Sequence, residues 1–192
     1  MRIVVSGTHA SGKSTLISDF AAAHPEFEVL GDPFEAVEEM DAAGAALFAA
    51  QLEISAARLL ELPAGARVIA ERGPLDFLAY LDALDTLRRP TRSPELFRRG
   101  IPRTATAMTH VDLLVLLPLS ERDAMAVGAD EDLDLREAMN DALRELADDG
   151  DLVGDAVVVE LTGAPHARRA QLDAAIIGSA GVDSDPPIPE TG

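Results

Sequence analysis

The 192-residue sequence has no cysteine and no tryptophan, one tyrosine, six phenylalanines and only 16 basic residues against 34 acids. Without cysteine there is no disulfide framework, no thiolate nucleophile and no cysteine-ligated zinc, and a reducing compartment is the expected setting. His9, His24, His110 and His166 are too scattered to suggest a metal cluster. Aromatics make up 4% of the chain although 47% is hydrophobic, so the core must be built from Ala, Leu and Val, as in a helix-rich α/β protein. No apolar run approaches the roughly 18 to 20 residues of a bilayer span, and residues 1–6 lead into a strand pattern in place of a secretory leader. A cytoplasmic protein with no membrane partner is expected. The formal charge of −18 excludes the basic footprint that nonspecific nucleic-acid binding needs, so no nucleic-acid partner is expected either.

Strand patterns fall at residues 2–6, 28–30, 67–70, 111–117 and 156–161. Helical spacing occupies residues 15–23, 34–40, 45–62, 74–87, 133–147 and 166–177. The near-continuous hydrophobicity of VDLLVLL at 111–117 marks a strand covered on both faces. Residues 88–103 read as a proline-broken segment with a short helix from Pro94 capped by Ser93, and residues 120–132 as a polar loop. Strands alternating with helices predict an α/β three-layer sandwich, a five-stranded parallel sheet with helices on both faces and right-handed crossovers. One domain over residues 1–178 is expected, followed at 179–192 by a disordered tail rich in Gly, Ser, Asp and Pro.

What is present is concentrated in one motif. Gly7, Thr8, His9, Ala10, Ser11, Gly12, Lys13 and Ser14 fit G-x-x-x-x-G-K-[ST] at every fixed position, between a strand pattern and a helix pattern. The chemistry explains the spacing. Glycines let successive backbone N–H groups converge on phosphate oxygens, and the following helix presents its positive end. Lys13 reaches the β and γ phosphates of ATP, Ser14 offers a hydroxyl to Mg²⁺, and Thr15 completes the segment as a helix-start residue. Lys13 is the only lysine in the chain, the other basic residues all being arginine. A compact ammonium can sit between two phosphates where a planar guanidinium fork would not fit.

Glu71 and Arg72 follow the third strand pattern, and in open α/β sheets the carboxyl ends of strands border the ligand crevice. Glu71 could accept a proton from an attacking hydroxyl or hold water on Mg²⁺, and Arg72 could stabilise charge on a transferred phosphoryl group. An exposed strand-end ion pair is the plainer alternative. GTHASGKSTL and ERGPLDFLAY together resemble the P-loop small-molecule kinase and ATPase group, which includes ribosylnicotinamide-kinase-like and AAA-type P-loop relatives and, more distantly, deoxynucleoside kinases. The resemblance implies a catalytic or Mg²⁺-associated carboxylate at Glu71, a phosphate-binding arginine at Arg72 and a substrate contact at Asp76, with a helix-dipole role as the alternative for Asp76. It also implies a lid arginine at Arg136, with Arg144 second, against a simple pairing of Arg136 with Asp132 at helical spacing. Residues 162–165 resemble a loop that touches adenine.

On the acceptor side, Asp32 follows the second strand pattern and could meet a hydroxyl or amine, while Phe34 and Phe48 could stack on a ring or pack in the core. Six arginines, Arg88, Arg89, Arg92, Arg98, Arg99 and Arg103, form a cluster that could recognise an anion or simply balance nearby acids. The sequence thus points to an ATP-dependent phosphotransferase acting on a small hydroxylated metabolite, a nucleoside or nucleotide in the first instance. The alternative is a regulatory NTPase that hydrolyses ATP or GTP and gates a protein partner. A homodimer stays open as a further partner arrangement.

Overall fold

The computed structural model describes residues 1–33, 44–89, 92–119 and 132–182. The expected helix at 34–40, Phe34 and most of the expected loop at 120–132 lie outside them. Strand β1 (Arg2–Ser6) leads through the glycine loop into helix α1 (Lys13–Ala23), and β2 (Glu28–Leu30) follows. Helix α2 (Ala45–Leu60), β3 (Val68–Glu71) and α3 (Pro74–Thr86) come next, then α4 (Ser93–Met108) and β4 (Leu113–Leu116). Helix α5 (Leu133–Ala147), a short α6 (Gly150–Val153), β5 (Val157–Glu160) and α7 (Pro165–Val182) complete the described chain.

The five strands form one parallel sheet in the order β2-β3-β1-β4-β5. Alternation along β1 sorts the two layers. Ile3 and Val5 pack with Leu16, Ile17, Phe20 and Leu172 of α1 and α7, whereas Val4 packs with the apolar faces of α2 to α6. Both β1 and β4 are buried nearly throughout, which explains why β4 reads as an uninterrupted apolar run. The sandwich is therefore the one expected, with β1 at its centre and the loop after β1 at the carboxyl edge of the sheet.

Three segments differ from the sequence expectation. Helix α4 is sixteen residues long and runs through Pro102, starting at Ser93 with Arg92 as its cap residue. Packing outweighs the missing N–H, because Gly100 brings the helix so close to α2 and α3 that an added Cβ would sit 2.8 Å from Leu52 Cδ1. The acidic turn after α5 contains α6, started by Asp149, whose Oδ1 accepts from Asp151 N at 2.9 Å. Helix α7 continues to Val182, past the helix end expected at residue 177, and residues 183–192 of the expected tail lie outside the described residues. Among the described residues no helix is long and apolar enough to cross a membrane.

Candidate phosphate site

The loop after β1 owes its path to positive backbone angles. Gly7, Ala10 and Gly12 have φ of 154, 52 and 91°. Gly7 has no room for a side chain, since a Cβ there would lie 2.7 Å from Ser11 Oγ and 2.9 Å from the Leu117 carbonyl. Gly12 then caps α1, so the first N–H groups of the helix open toward the loop.

Cationic side chains hold the loop's carbonyls. Arg72 Nη1 donates to Gly7 O at 3.0 Å, Lys13 Nζ to Thr8 O at 2.7 Å, Arg136 Nε to His9 O at 3.0 Å and Arg168 Nη1 to Ser11 O at 2.8 Å. A planar trans peptide points its C=O and N–H to opposite sides, so each carbonyl held by a cation leaves the N–H of its peptide turned away from that cation. In a chain of net charge −18, gathering four cations on one loop is a large departure from the mean field. Among the described residues, the buried Ser11 Oγ and Arg136 Nη2 beside the loop have no hydrogen-bond partner. Buried polar groups are seldom left unpaired, and a donor hydroxyl and a guanidinium nitrogen both suit an anionic oxygen. The site therefore fits the phosphates of a nucleotide.

Lys13 is 4% exposed, and its pKa is lowered to about 8, first by burial and then by the Arg72 charge. Ser14 Oγ donates to Glu71 Oε1 at 2.9 Å, which brings the hydroxyl and carboxylate of the expected Mg²⁺ pair together at the mouth of the loop. Hard oxygen donors of this kind suit Mg²⁺. Thr15 is an exposed residue of the first turn of α1.

Arg72 and Asp76 occupy places unlike those expected. Arg72 is 4% exposed at φ 63°, and its Nε donates to Asp32 Oδ2 at 2.8 Å while Nη1 holds Gly7. A left-handed arginine costs about 1–2 kcal/mol and persists only where its surroundings over-determine it. Its contacts join the loop carbonyl of Gly7 to Asp32, its ion-pair partner, so it braces the cradle. Asp76 has no exposed surface. Its Oδ2 accepts from Ser6 Oγ at 2.6 Å and Gly73 N at 2.9 Å, and its Oδ1 from Gly7 N at 2.9 Å. Burial pushes this carboxyl up from the usual range, against the Arg72 charge and those three donors. Such a carboxylate ties the loop to α3, which corrects the expectation of an acceptor contact.

Arg144 is paired with Glu160 at 2.8 Å, away from the loop, whereas Arg136 reaches it in place of pairing with Asp132. Phe48 is core, stacked on Tyr80 at 4.4 Å. Within the arginine cluster Arg89, Arg92 and Arg103 are paired with Asp132, Glu95 and Glu53, as charge balancing requires. Sequence reasoning missed Arg168. The signal open to it was an arginine in the first turns of a helix that begins at the ligand edge of the sheet. Beside Glu71 a narrow cleft is lined by Gly31, Pro33, Ser55, Arg58 and Arg72.

A family model described as AAA domain matches residues 2–163. No curated protein matches by sequence. Among solved structures the chain is similar to thymidylate kinase from Candida albicans, at 18% identity and TM-score 0.64 over 93% of this chain and 92% of that one. It is similar to deoxyadenosine kinase from M. mycoides bound to dCMP and dCDP, at 14% identity and TM-score 0.67 over 93% of this chain and 99% of that one. It is also similar to NadR protein in complex with NAD and AMP-PNP, at 20% identity and TM-score 0.62, where all of this chain (100%) covers 51% of that one. At these identities the shared property is the fold.

Proposed function

The chain belongs to the AAA-domain family within the P-loop kinase and NTPase group, and on that premise we propose that it transfers the γ phosphoryl group of ATP to a small hydroxylated metabolite, a nucleoside or nucleotide. The observation that carries this reading is the position of Glu71. Its carboxylate accepts a hydrogen bond from Ser14 beside the phosphate loop, and the residue ends β3, at the carboxyl edge of the sheet where ligand crevices of open α/β sheets lie. The names of two fold relatives, a thymidylate kinase and a deoxyadenosine kinase, support the class of acceptor.

In this scheme the acceptor hydroxyl oxygen bonds to the γ phosphorus as the bond from that phosphorus to the β–γ bridging oxygen breaks. ADP departs with the electron pair, and the hydroxyl proton passes to Glu71. Lys13 and the Nη2 of Arg136 face charge on the phosphate oxygens, while the amides of residues 8–15 fix the triphosphate. Arg72 acts through Gly7 and Asp32, holding the loop in shape. Ser14 would hold Mg²⁺, with Glu71 holding a water on it, and the ion when bound would supply further neutralisation of phosphate charge.

The test is acceptor-stimulated ADP release across a panel of nucleosides, nucleotides and other hydroxylated metabolites. At least one acceptor should raise ADP formation well above the buffer rate. Glu71→Gln should retain ATP binding while turnover falls about 10²- to 10⁴-fold, the usual range for loss of a general base. ADP release indifferent to every acceptor, with Glu71→Gln as fast as the parent, would refute transfer.

A further inference from the structure

Arg168 lies in the first turns of α7 and is 6% exposed. Its Nη1 donates at 2.8 Å to the carbonyl of Ser11, 157 residues away in sequence. The contact is made on the peptide that joins Ser11 to Gly12. Because a trans peptide is planar, fixing the Ser11 carbonyl on Arg168 also fixes the Gly12 N–H, pointing away from that guanidinium. That peptide most needs holding, since Gly12 sits at φ 91° and glycine has no side chain to restrict rotation about its bonds.

The support under Arg168 is rigid. Gln171 clamps Thr162 at the end of β5, with Nε2 donating to Thr162 O at 2.9 Å and Oε1 accepting from Thr162 N at 3.3 Å. The neighbouring Arg169 makes different contacts. Its Nη1 donates to Asp19 O, its Nε donates to Asp173 at 3.0 Å, and its guanidinium lies 5.3 Å from the centre of the Phe20 ring. One arginine of the pair therefore fastens α7 to α1, and the other fastens α7 to the phosphate loop.

We propose that Arg168 is a positioning residue for phosphate recognition, acting through the Ser11–Gly12 peptide to keep the Gly12 N–H turned into the cradle and to place a positive charge behind it. The proposal rests on the reading of residues 7–15 as the phosphate site. A charge-assisted hydrogen bond to the carbonyl also polarises the same peptide's N–H, strengthening its bond to an anion. The role is independent of nucleobase and acceptor, so it should be visible with a bare polyphosphate.

Calorimetric titration of the full chain with ATP and with inorganic tripolyphosphate, beside thermal melts, tests it. The parent should bind both ligands. Arg168→Gln should weaken both by the same factor, about tenfold, as loss of one charge-assisted hydrogen bond implies. Arg168→Lys, keeping the charge but a single donor group, should be about threefold weaker by the same reasoning and keeps the test decisive if Arg168→Gln does not fold. Arg169→Gln should melt at lower temperature yet bind like the parent. Parent-like affinity in both Arg168 variants, or equal losses in the Arg168 and Arg169 variants, would overturn the positioning role alone. A parent chain that binds neither ligand would overturn the phosphate-site reading, and this role with it.

Discussion

At the scale of single residues, Lys13 carries a pH dependence whose sign can be worked out. Burial, then the Arg72 charge, lowers its pKa from 10.5 to about 8 in the ligand-free fold. Between those two values the folded protein binds fewer protons than the unfolded chain, so ligand-free stability should rise as pH climbs through that window. A polyphosphate beside the ammonium reverses the balance, because a neighbouring anion favours the charged form and raises the pKa. Binding should then take up a proton above pH of about 8 and none well below it. Affinity for tripolyphosphate should be flat just above neutrality and fall up to about tenfold per pH unit beyond 8, which calorimetry in buffers of different ionisation enthalpy would detect. Constant affinity from pH 7 to 9.5 with no proton uptake would remove Lys13 from the phosphate site. Lys13→Ala should lose nucleotide-induced thermal stabilisation, since the only ammonium side chain in the sequence goes with it.

At the scale of elements, Asp76 joins β1, the phosphate loop and the start of α3. Asp76→Ala would strand Ser6 Oγ and the N–H groups of Gly7 and Gly73 in a site with no exposed surface, and would leave Arg72 without one of its two nearby acids. Breaking a buried charged network in this way costs about 3–5 kcal/mol. Urea unfolding should show a loss of that size, with a smaller one for Asp76→Asn, and a change under about 1 kcal/mol would mean the carboxylate does not hold the loop. The same comparison separates what was legible in the sequence from what was not. The phosphate loop was readable because its glycines, lysine and serine lie within consecutive residues and each has a local reason to be there. Asp76 and Arg168 act on that loop from 69 and 157 residues away, and no local pattern carries such contacts. Asp76 reads in sequence as a substrate contact or a first-turn acid serving the helix dipole, and neither reading contains its buried bonds to Ser6, Gly7 and Gly73. Helix α4 shows the opposite limit, for Pro102 reads as a breaker until the close packing around Gly100 is known.

At the scale of the whole molecule, a formal charge of −18 surrounds a site built to attract anions. The two fields differ in range. The cations on the loop carbonyls act over a few ångströms and include Lys13, Arg72 and Arg168, each under 10% exposed, so salt screens them weakly. The acidic surface acts over a Debye length, about 30 Å at 0.01 M salt and about 10 Å at 0.1 M, and repels an incoming polyphosphate before the loop can capture it. Added salt should therefore speed capture by removing the repulsion while leaving the bound contacts mostly intact. Stopped-flow measurement with tripolyphosphate should give an association rate that rises several-fold between about 0.01 and 0.2 M salt, and a dissociation rate that changes much less. An association rate that falls with salt would mean that the loop's positive potential extends past the acidic surface and steers the ligand in. The four carbonyl-bound cations would then govern approach as well as grip.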